Sequence, residues 1–365
     1  MSLDDVDNVS AIPKTMKAAV YHQAGHPATF DTVPVPSPGE RELLLKMRAT
    51  SLCHSDVGVI SGEYGPGVFP IIGGHEAVGI VAALGHGASS YGFKVGDVVG
   101  ATAWHGACLE CSGCSYGKQY CDTLKAKGIN APGYFAEYCA LDASLAIPVT
   151  PPDGVPLERL APVFCAGITV WDALERAKIR PAETIAIIGA GGLGQLAVKY
   201  AAALGATVIA LDVRDEQLEA CKAPDGTGAS HIINTSGLTS PELCKRVREV
   251  NGGKLLNCLI VTTGALPAYA ASFPLVAPEG RIIAVGVPPG PIPVSAAYLS
   301  RNNISFIGAK IAGTESAIRC LDFTLSRNLL PKIHPRQFKL EDLNEMIDLM
   351  KAGKVENGRM VVSFK

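Results

Sequence analysis

Residues 184–213, TIAIIGAGGLGQLAVKYAAALGATVIALDV, contain an apolar strand-like run, a glycine-rich turn, a helix-like run and a second apolar run. The turn at 189–194 has the pattern G-x-G-x-x-G, directly after the first run. In that setting the first glycine allows a tight turn, the second lets the backbone approach a pyrophosphate, and the third lets the helix pack on the strand. The stretch therefore predicts a strand-helix-strand unit that can bind a dinucleotide.

An acidic residue strengthens this interpretation over the alternative of a glycine turn that serves only packing. Asp212 ends the second apolar run, 18 residues after Gly194. A carboxylate there binds both hydroxyls of an adenosine ribose and repels a 2′-phosphate, so we expect NAD(H) to be preferred over NADP(H). The residues expected to contact the cofactor at this point are Gly189, Gly191, Gly192, Leu193, Gly194 and Asp212.

The sequence patterns before and after this stretch differ. From about Pro162 apolar runs alternate with helix-like runs, such as those expected over 193–204, 241–250 and 267–276, which is typical of a doubly wound parallel sheet. The first 150 residues instead contain short strand-like runs separated by glycine and proline. Because 365 residues exceed what one core usually supports, we expect two domains, one β-rich and one α/β.

Composition excludes several classes of partner. The net charge is -2 and no run of lysine and arginine is present, so we expect no nucleic-acid partner. The acidic N-terminus lacks a signal-like apolar segment, and glycines interrupt residues 184–213, so we expect a cytoplasmic protein without a membrane span. The eleven cysteines then indicate metal binding rather than a disulfide framework.

Four of these cysteines are close together in CLECSGCSYGKQYC, separated by two, two and six residues. Four thiolates at such spacing can enclose a structural Zn²⁺ with no open position. An iron–sulfur cluster is the second interpretation. The expected ligands are Cys108, Cys111, Cys114 and Cys121.

Other metal-ligand candidates are dispersed: Cys53 in CHSD, His75 and Glu76 in GGHEAVG, and Cys165 in CAGITVWDAL. With MKAAVYHQAG, GAGGLG, GRIIAVGVPPG, GRMVVSFK and the four-cysteine segment, they span nearly the whole chain. In these motifs the chain resembles the zinc-dependent medium-chain alcohol dehydrogenases, in the branch with a structural zinc lobe. The resemblance implies a GroES-like catalytic domain at 1–165 plus 309–365, a Rossmann domain at 166–308, and an active site in the cleft between them.

The resemblance also implies roles for individual residues. Cys53, His75 and Cys165 would bind the catalytic zinc, Glu76 would approach it during ligand exchange, and Asp56 would hold His75. His54 would contact the cofactor pyrophosphate, although a surface histidine is its alternative role, and Ser55 would accept the proton of the alcohol. Further cofactor contacts are implied for Val285 and Val287. The expected cofactors are two zinc ions per subunit and NAD(H), in a homo-oligomer, dimer or tetramer, that acts on a small-molecule alcohol or carbonyl compound.

The chain departs from the family pattern at three places. A histidine that ends the proton relay in many members is replaced by Gly58, and the last two cysteines of the lobe have six residues between them rather than seven. Ala103 and Tyr64 stand at positions that line the substrate pocket, where Ala103 indicates a wider pocket. A reductase of a conjugated carbonyl or imine is therefore the alternative enzyme, and a catalytically silent NAD-binding protein is the alternative outside enzymes.

Overall fold

The computed structural model describes residues 12–63, 67–222, 228–355 and 358–364. The chain divides into two compact units. The first comprises the described residues within Met1–Cys165, Gly313–Leu321 and Leu330–Lys365, and the second comprises those within Ala166–Ala312 and Asp322–Leu329. Each unit is described by itself below.

The strands and helices are numbered separately in chain order. The strands are β1 (Thr15–Tyr21), β2 (Thr29–Pro34), β3 (Glu42–Ser51), β4 (Ile71–Ile72), β5 (Ala77–Leu84), β6 (Val98–Ala101), β7 (Trp104–His105), β8 (Lys125–Ala126), β9 (Tyr138–Asp142), β10 (Ile147–Val149), β11 (Thr184–Ile188), β12 (Thr207–Asp212), β13 (His231–Asn234), β14 (Leu256–Val261), β15 (Val276–Ala284), β16 (Ser305–Gly308) and β17 (Val361–Ser363). The helices are α1 (His54–Ser61), α2 (Ser112–Tyr116), α3 (Ala166–Ala177), α4 (Gly192–Ala203), α5 (Asp215–Glu219), α6 (Ser240–Val250), α7 (Leu266–Ser272), α8 (Ala296–Asn302), α9 (Thr314–Ser326) and α10 (Leu343–Lys351).

The first unit is built around β3. This strand pairs antiparallel with β5, β9 and β17, and the larger sheet runs in the order β10-β6-β5-β3-β17. Leu43, Leu44 and Leu45 are each at most 1% exposed, which explains why this strand reads as a continuous apolar run rather than an alternating one. A second sheet has the order β2-β1-β4. Since β17 lies in the larger sheet, the C-terminal segment is an integral part of the first unit.

The second unit is a six-stranded parallel sheet in the order β13-β12-β11-β14-β15-β16. This order is that of a Rossmann fold, with the change of direction between β11 and β14. Residues 185–188 of β11 are buried, as expected for a parallel strand covered on both faces. The predicted fold class, a β-rich domain with a doubly wound Rossmann domain, is confirmed.

Two boundaries differ from the expected ones. The helix expected over 267–276 ends at Ser272, because Pro274 lies in a 3₁₀ turn and β15 begins at Val276. Residues 309–312 and 322–329, expected in the first domain, belong to the second unit. There Phe323 packs on Trp171 with ring centroids 4.9 Å apart, and the hydroxyls of Tyr200 and Thr324 lie 2.6 Å apart. These contacts connect amino acids far apart in sequence, so the sequence gives no local sign of them.

Among the described residues, no helix has both the length and the apolar character needed to cross a bilayer.

Candidate functional site

Three separate segments of the first unit bring four potential ligands together. Cys53 directly precedes α1, His75 and Glu76 lie between β4 and β5, and Cys165 follows a 3₁₀ turn at the end of the long N-terminal part. One ligand atom from each of these residues lies within 4.8 Å of those of the others. The dispersed candidates of the sequence therefore form one compact cluster, which we call the Cys53 cluster.

A close backbone contact fixes the segment that carries His75 and Glu76. Gly74 has φ of +91°, and a Cβ atom at this position would lie 2.9 Å from the backbone nitrogen of Phe135. Residue 74 must therefore be glycine for this approach. The Phe135 N–H donates to Gly73 O at 2.9 Å, which secures the turn just before His75.

Asp56 orients two members of the cluster. Its Oδ1 lies 2.8 Å from Nδ1 of His75, and its Oδ2 accepts the backbone N–H of Cys53 at 2.9 Å. Both Asp56 and His75 are only 2% exposed. With Nδ1 donating to the carboxylate, Nε2 of His75 is left as a ligand atom, and it lies 3.3 Å from Sγ of Cys165.

Glu76 is held on one side only. Its Oε1 pairs with Nη2 of Arg359, and Nε and Nη2 of Arg359 each lie 3.3 Å from the hydroxyl of Ser51. The other oxygen, Oε2, is buried and has no partner among the described residues. Burial raises the pKa of Glu76, and the guanidinium of Arg359 opposes that rise. An unpartnered buried carboxylate oxygen in this cluster fits a nearby cation.

Arg359 was missed in the sequence reasoning. It lies 283 positions from Glu76, and no periodic pattern connects the two. The only sequence signal is a single arginine within the otherwise apolar terminal segment GRMVVSF, where a charged side chain needs a buried partner.

The two thiols of the cluster differ in their tendency to ionise. A hydrogen bond with Cys165 lowers the pKa of Cys53, and the same bond raises the pKa of Cys165. The thiolate is the form that binds metal. Two thiols and one imidazole nitrogen form a soft donor set that suits zinc, and three such ligands leave a fourth position for another group. The residues present therefore fit a catalytic zinc ion.

The remaining residues of CHSD lie in the first turn of α1. His54 is exposed and Ser55 is half-buried, while Gly58 is buried one turn further along. Ala103 is 3% exposed, just after β6. Tyr64 lies outside the described residues, so the expectation about its place in a substrate pocket is a matter of sequence alone.

The four-cysteine segment forms a second cluster around α2. Sulfur–sulfur distances are 3.6 Å for Cys111 and Cys114, 3.5 Å for Cys108 and Cys121, and 3.9 Å for Cys108 and Cys114. Four sulfurs at about 2.3 Å from a tetrahedral zinc ion would be about 3.8 Å apart. The shortened spacing before Cys121 thus still places its sulfur at a distance that fits zinc.

Backbone N–H groups support this second cluster. Cys108 N–H donates to Sγ of Cys121 at 3.3 Å, and Asp122 N–H donates to Sγ of Cys111 at 3.4 Å. Such bonds stabilise thiolates. All eleven cysteines are among the described residues, and each is free of a disulfide bond.

The glycine-rich turn of the second unit connects β11 to α4. Gly189 has φ of +97°, and a Cβ on Gly194 would lie 1.7 Å from Gly189 O, so both positions require glycine. A Cβ on Gly191 would meet nothing within 4 Å. The first and third glycines therefore shape the turn, and the second leaves open space before the N-terminus of α4, where Gly192 and Leu193 begin the helix.

Asp212, at the end of β12, is tied to this turn. Its Oδ2 accepts Ala190 N–H at 2.6 Å, and its Oδ1 accepts Arg214 N–H at 3.0 Å. The carboxylate therefore also holds the turn in place, which the sequence did not predict. Val285 and Val287 are the two further residues expected to contact the cofactor. Val285 donates its N–H to Val261 O at 3.0 Å, and Val287 is 74% exposed.

Comparisons with known proteins agree with this arrangement. Residues 39–151 match the model of the alcohol dehydrogenase GroES-like domain, and residues 192–326 match that of the zinc-binding dehydrogenases. An alcohol dehydrogenase of Geobacillus stearothermophilus is 32% identical, with 95% of this chain and 99% of the relative covered. Alcohol dehydrogenase 2 of Emericella nidulans is 33% identical, with 97% and 98% covered.

Solved structures give the same result. The alcohol dehydrogenase of Aeropyrum pernix superposes with a TM-score of 0.84 at 26% identity, and the match covers 95% of this chain and 100% of the Aeropyrum chain. An acetophenone reductase of Geotrichum candidum in complex with NAD gives 0.81 at 25% identity, covering 97% and 99%. With family matches in both units and full-length relatives above 30% identity, the chain belongs to the zinc-binding alcohol dehydrogenases.

Proposed function

We propose that this alcohol dehydrogenase holds a catalytic zinc through Cys53, His75 and Cys165 and interconverts an alcohol and its aldehyde or ketone with NAD(H). The observation that carries the proposal is the convergence of these three ligands, with Asp56 bound both to His75 and to the backbone of Cys53. When bound, zinc supplies Lewis acidity that favours deprotonation of the alcohol, and NAD⁺ accepts the hydride.

The residues of the chain prepare this chemistry. Asp56 holds the imidazole of His75 with Nε2 as the ligand atom, and it holds Cys53 in place through the backbone. Arg359 neutralises one oxygen of Glu76, so that the other is positioned for an approach to the metal during ligand exchange. Ser55 would accept the hydroxyl proton of the alcohol.

A proton that reaches Ser55 finds no histidine one turn further along α1, because residue 58 is glycine. We expect alcohol oxidation by this enzyme to be slow near neutral pH as a result, since general-base assistance is lost there. The proton must leave through water or through another group.

The variant Gly58→His tests this expectation. A histidine at position 58 is expected to raise kcat for alcohol oxidation near pH 7 by about tenfold, with less effect at high pH, where hydroxide accepts the proton. Initial rates would be measured between about pH 6 and pH 10. Over this range the main proton acceptor is expected to change from the imidazole of histidine to hydroxide. Because Gly58 is buried, Gly58→Ala is the control for steric effects alone. Equal rates for Gly58→His and Gly58→Ala at every pH would contradict the relay argument.

We further propose that NAD(H) is preferred over NADP(H), because the carboxylate of Asp212 lies beside the glycine-rich turn and would repel a 2′-phosphate. Asp212→Asn removes the charge while leaving an oxygen to accept a backbone N–H. We expect the ratio of kcat/KM for NAD⁺ to that for NADP⁺ to fall by about tenfold or more. Asp215→Asn, at an exposed neighbouring carboxylate, is the matched control. An unchanged ratio in Asp212→Asn would show that another group selects the cofactor.

A second candidate function is reduction of a conjugated carbonyl or imine. It is favoured by Gly58, which removes the relay that alcohol oxidation uses, and by the small side chain of Ala103. Initial rates with a panel of alcohols, aldehydes, enones and imines, each with NAD(H) and NADP(H), distinguish the two. Turnover of simple alcohols with NAD⁺ supports the first function, and activity confined to enones or imines supports the second.

The zinc content, the location and the oligomeric state remain predictions of the sequence. We expect two zinc ions per subunit, a cytoplasmic location and a homo-oligomer, either a dimer or a tetramer. Metal analysis and sedimentation of the purified protein test the stoichiometry and the assembly.

A further inference from the structure

A cavity of about 510 Å³ lies within the first unit, and neither cysteine cluster nor His75 lines it. Its walls come from the segment 91–98, from Lys118, from the segment 143–150, and from Thr314 and Ile318 in the first turns of α9. Its volume is in the range of small-molecule binding sites. The chemistry proposed above makes no use of this cavity.

One wall carries a fixed positive charge. Lys118 is half-buried, and its Nζ donates to the backbone oxygen of Ser144 at 2.6 Å. An ammonium group has three N–H donors, and this bond uses one of them. The charge is thus held at the wall of the cavity with donor capacity remaining.

Beside this ammonium is a hydroxyl without a partner. Ser144 is 2% exposed, and its Oγ has no hydrogen-bond partner among the described residues. Its backbone N–H is already used, because it donates to Oδ1 of Asp142 at 2.8 Å. Buried hydroxyls in native proteins are normally bonded, so the hydroxyl of Ser144 is available to bond a polar group that enters the cavity.

The rest of the lining limits the chemistry of that ligand. Thr314 is the first residue of α9, a 13-residue helix whose N-terminus favours negative charge. Asp97 also lines the cavity, with its Oδ2 accepting Lys94 N–H at 2.9 Å, and its charge disfavours a polyanion. Phe93 and Ile318 provide apolar surface. A single negative charge attached to an apolar group matches these walls.

We propose that this cavity binds a small organic monocarboxylate. Its carboxylate would accept hydrogen bonds from the ammonium of Lys118 and the hydroxyl of Ser144, and its apolar part would pack on Phe93 and Ile318. Because Lys118 lies between Cys114 and Cys121, the ligand would connect the four-cysteine segment to α9. The site is separate from the Cys53 cluster, so it does not depend on the function proposed above.

Fluorine NMR titration of the zinc-loaded full-length protein with 4-fluorobenzoate tests the proposal. We expect saturable binding with a dissociation constant on the order of 1 mM, and binding about tenfold weaker for the neutral 4-fluorobenzamide. Lys118→Met is expected to weaken 4-fluorobenzoate binding by about tenfold and Ser144→Ala by about threefold. The matched control is Lys94→Met, an exposed lysine outside the cavity lining, which is expected to bind as the unchanged protein does.

The outcomes separate this site from others. The absence of saturable binding overturns the proposal. Binding that is unchanged in both Lys118→Met and Ser144→Ala also overturns it, because the ligand then binds elsewhere, for example at the catalytic metal. Zinc content and circular dichroism report whether Lys118→Met disturbs the neighbouring cysteines. If they change, Ser144→Ala decides alone, with weaker binding in support and equal binding against.

Discussion

Cys53→Ala is expected to lower kcat for alcohol oxidation by at least about 10³-fold, because the variant would keep only two of the three proposed protein ligands of the catalytic metal and would lose several kcal/mol of stabilisation of developing charge. The fold around the site is expected to remain. Asp56 accepts the backbone N–H of residue 53, which alanine keeps, so the start of α1 and the orientation of His75 do not depend on the thiol. Steady-state kinetics and zinc content per chain are the measurements.

NADH binding, followed by fluorescence, is expected to be unchanged in Cys53→Ala, since the glycine-rich turn and Asp212 belong to the second unit. Cys139→Ala is the matched control, because Cys139 is also buried in the first unit but lies outside both metal-ligand clusters. Full activity in Cys53→Ala would refute the assignment of the catalytic metal site. A comparable loss in Cys139→Ala would point to general damage to the fold.

Cys111→Ser is expected to remove one zinc ion per chain, leave the other, and lower the midpoint of thermal unfolding by about 10 °C, because structural zinc supplies folding free energy. The sulfur of Cys111 lies 3.6 Å from that of Cys114 and accepts the N–H of Asp122. A serine hydroxyl is a poor substitute for a thiolate ligand. Metal analysis by mass spectrometry and calorimetry of the purified protein are the measurements.

The control for this variant is Cys244→Ser, a half-buried free thiol of the second unit. We expect it to keep both zinc ions and to unfold near the same temperature as the unchanged protein. Retention of two zinc ions in Cys111→Ser would exclude Cys111 as a ligand. Loss of both would show that the two sites are not independent.

The sequence predicted a large part of the fold, and it named the residues that the structure brings together in the candidate site, for a reason that differs between the two units. In the second unit the signals are local: the glycines of the turn and the acid that follows are within 24 residues of one another. In the first unit only the four-cysteine segment is local. No characteristic spacing connects Cys53, His75 and Cys165. They were grouped because of the resemblance to a known family rather than from a local pattern.

The sequence patterns did not predict contacts between residues far apart in the chain. Nothing in the chain indicates that Arg359 pairs with Glu76, that the carboxylate of Asp212 accepts Ala190 N–H, or that Ser144 has an unpartnered hydroxyl in a cavity. Each depends on where backbone segments meet in three dimensions, which propensity and periodicity do not encode.

By itself the sequence determined the classes of structure and chemistry: a parallel sheet from alternating apolar runs, a dinucleotide turn from glycine spacing, and metal binding from clustered thiols. These follow from local sterics and from the donor atoms of each residue type. Only the tertiary structure decided which oxygen of Glu76 is paired and which is not, that the shortened lobe still places four sulfurs near tetrahedral distances, and that Asp56 orients both Cys53 and His75. Those properties are distances between atoms from separate segments, and folding alone sets them.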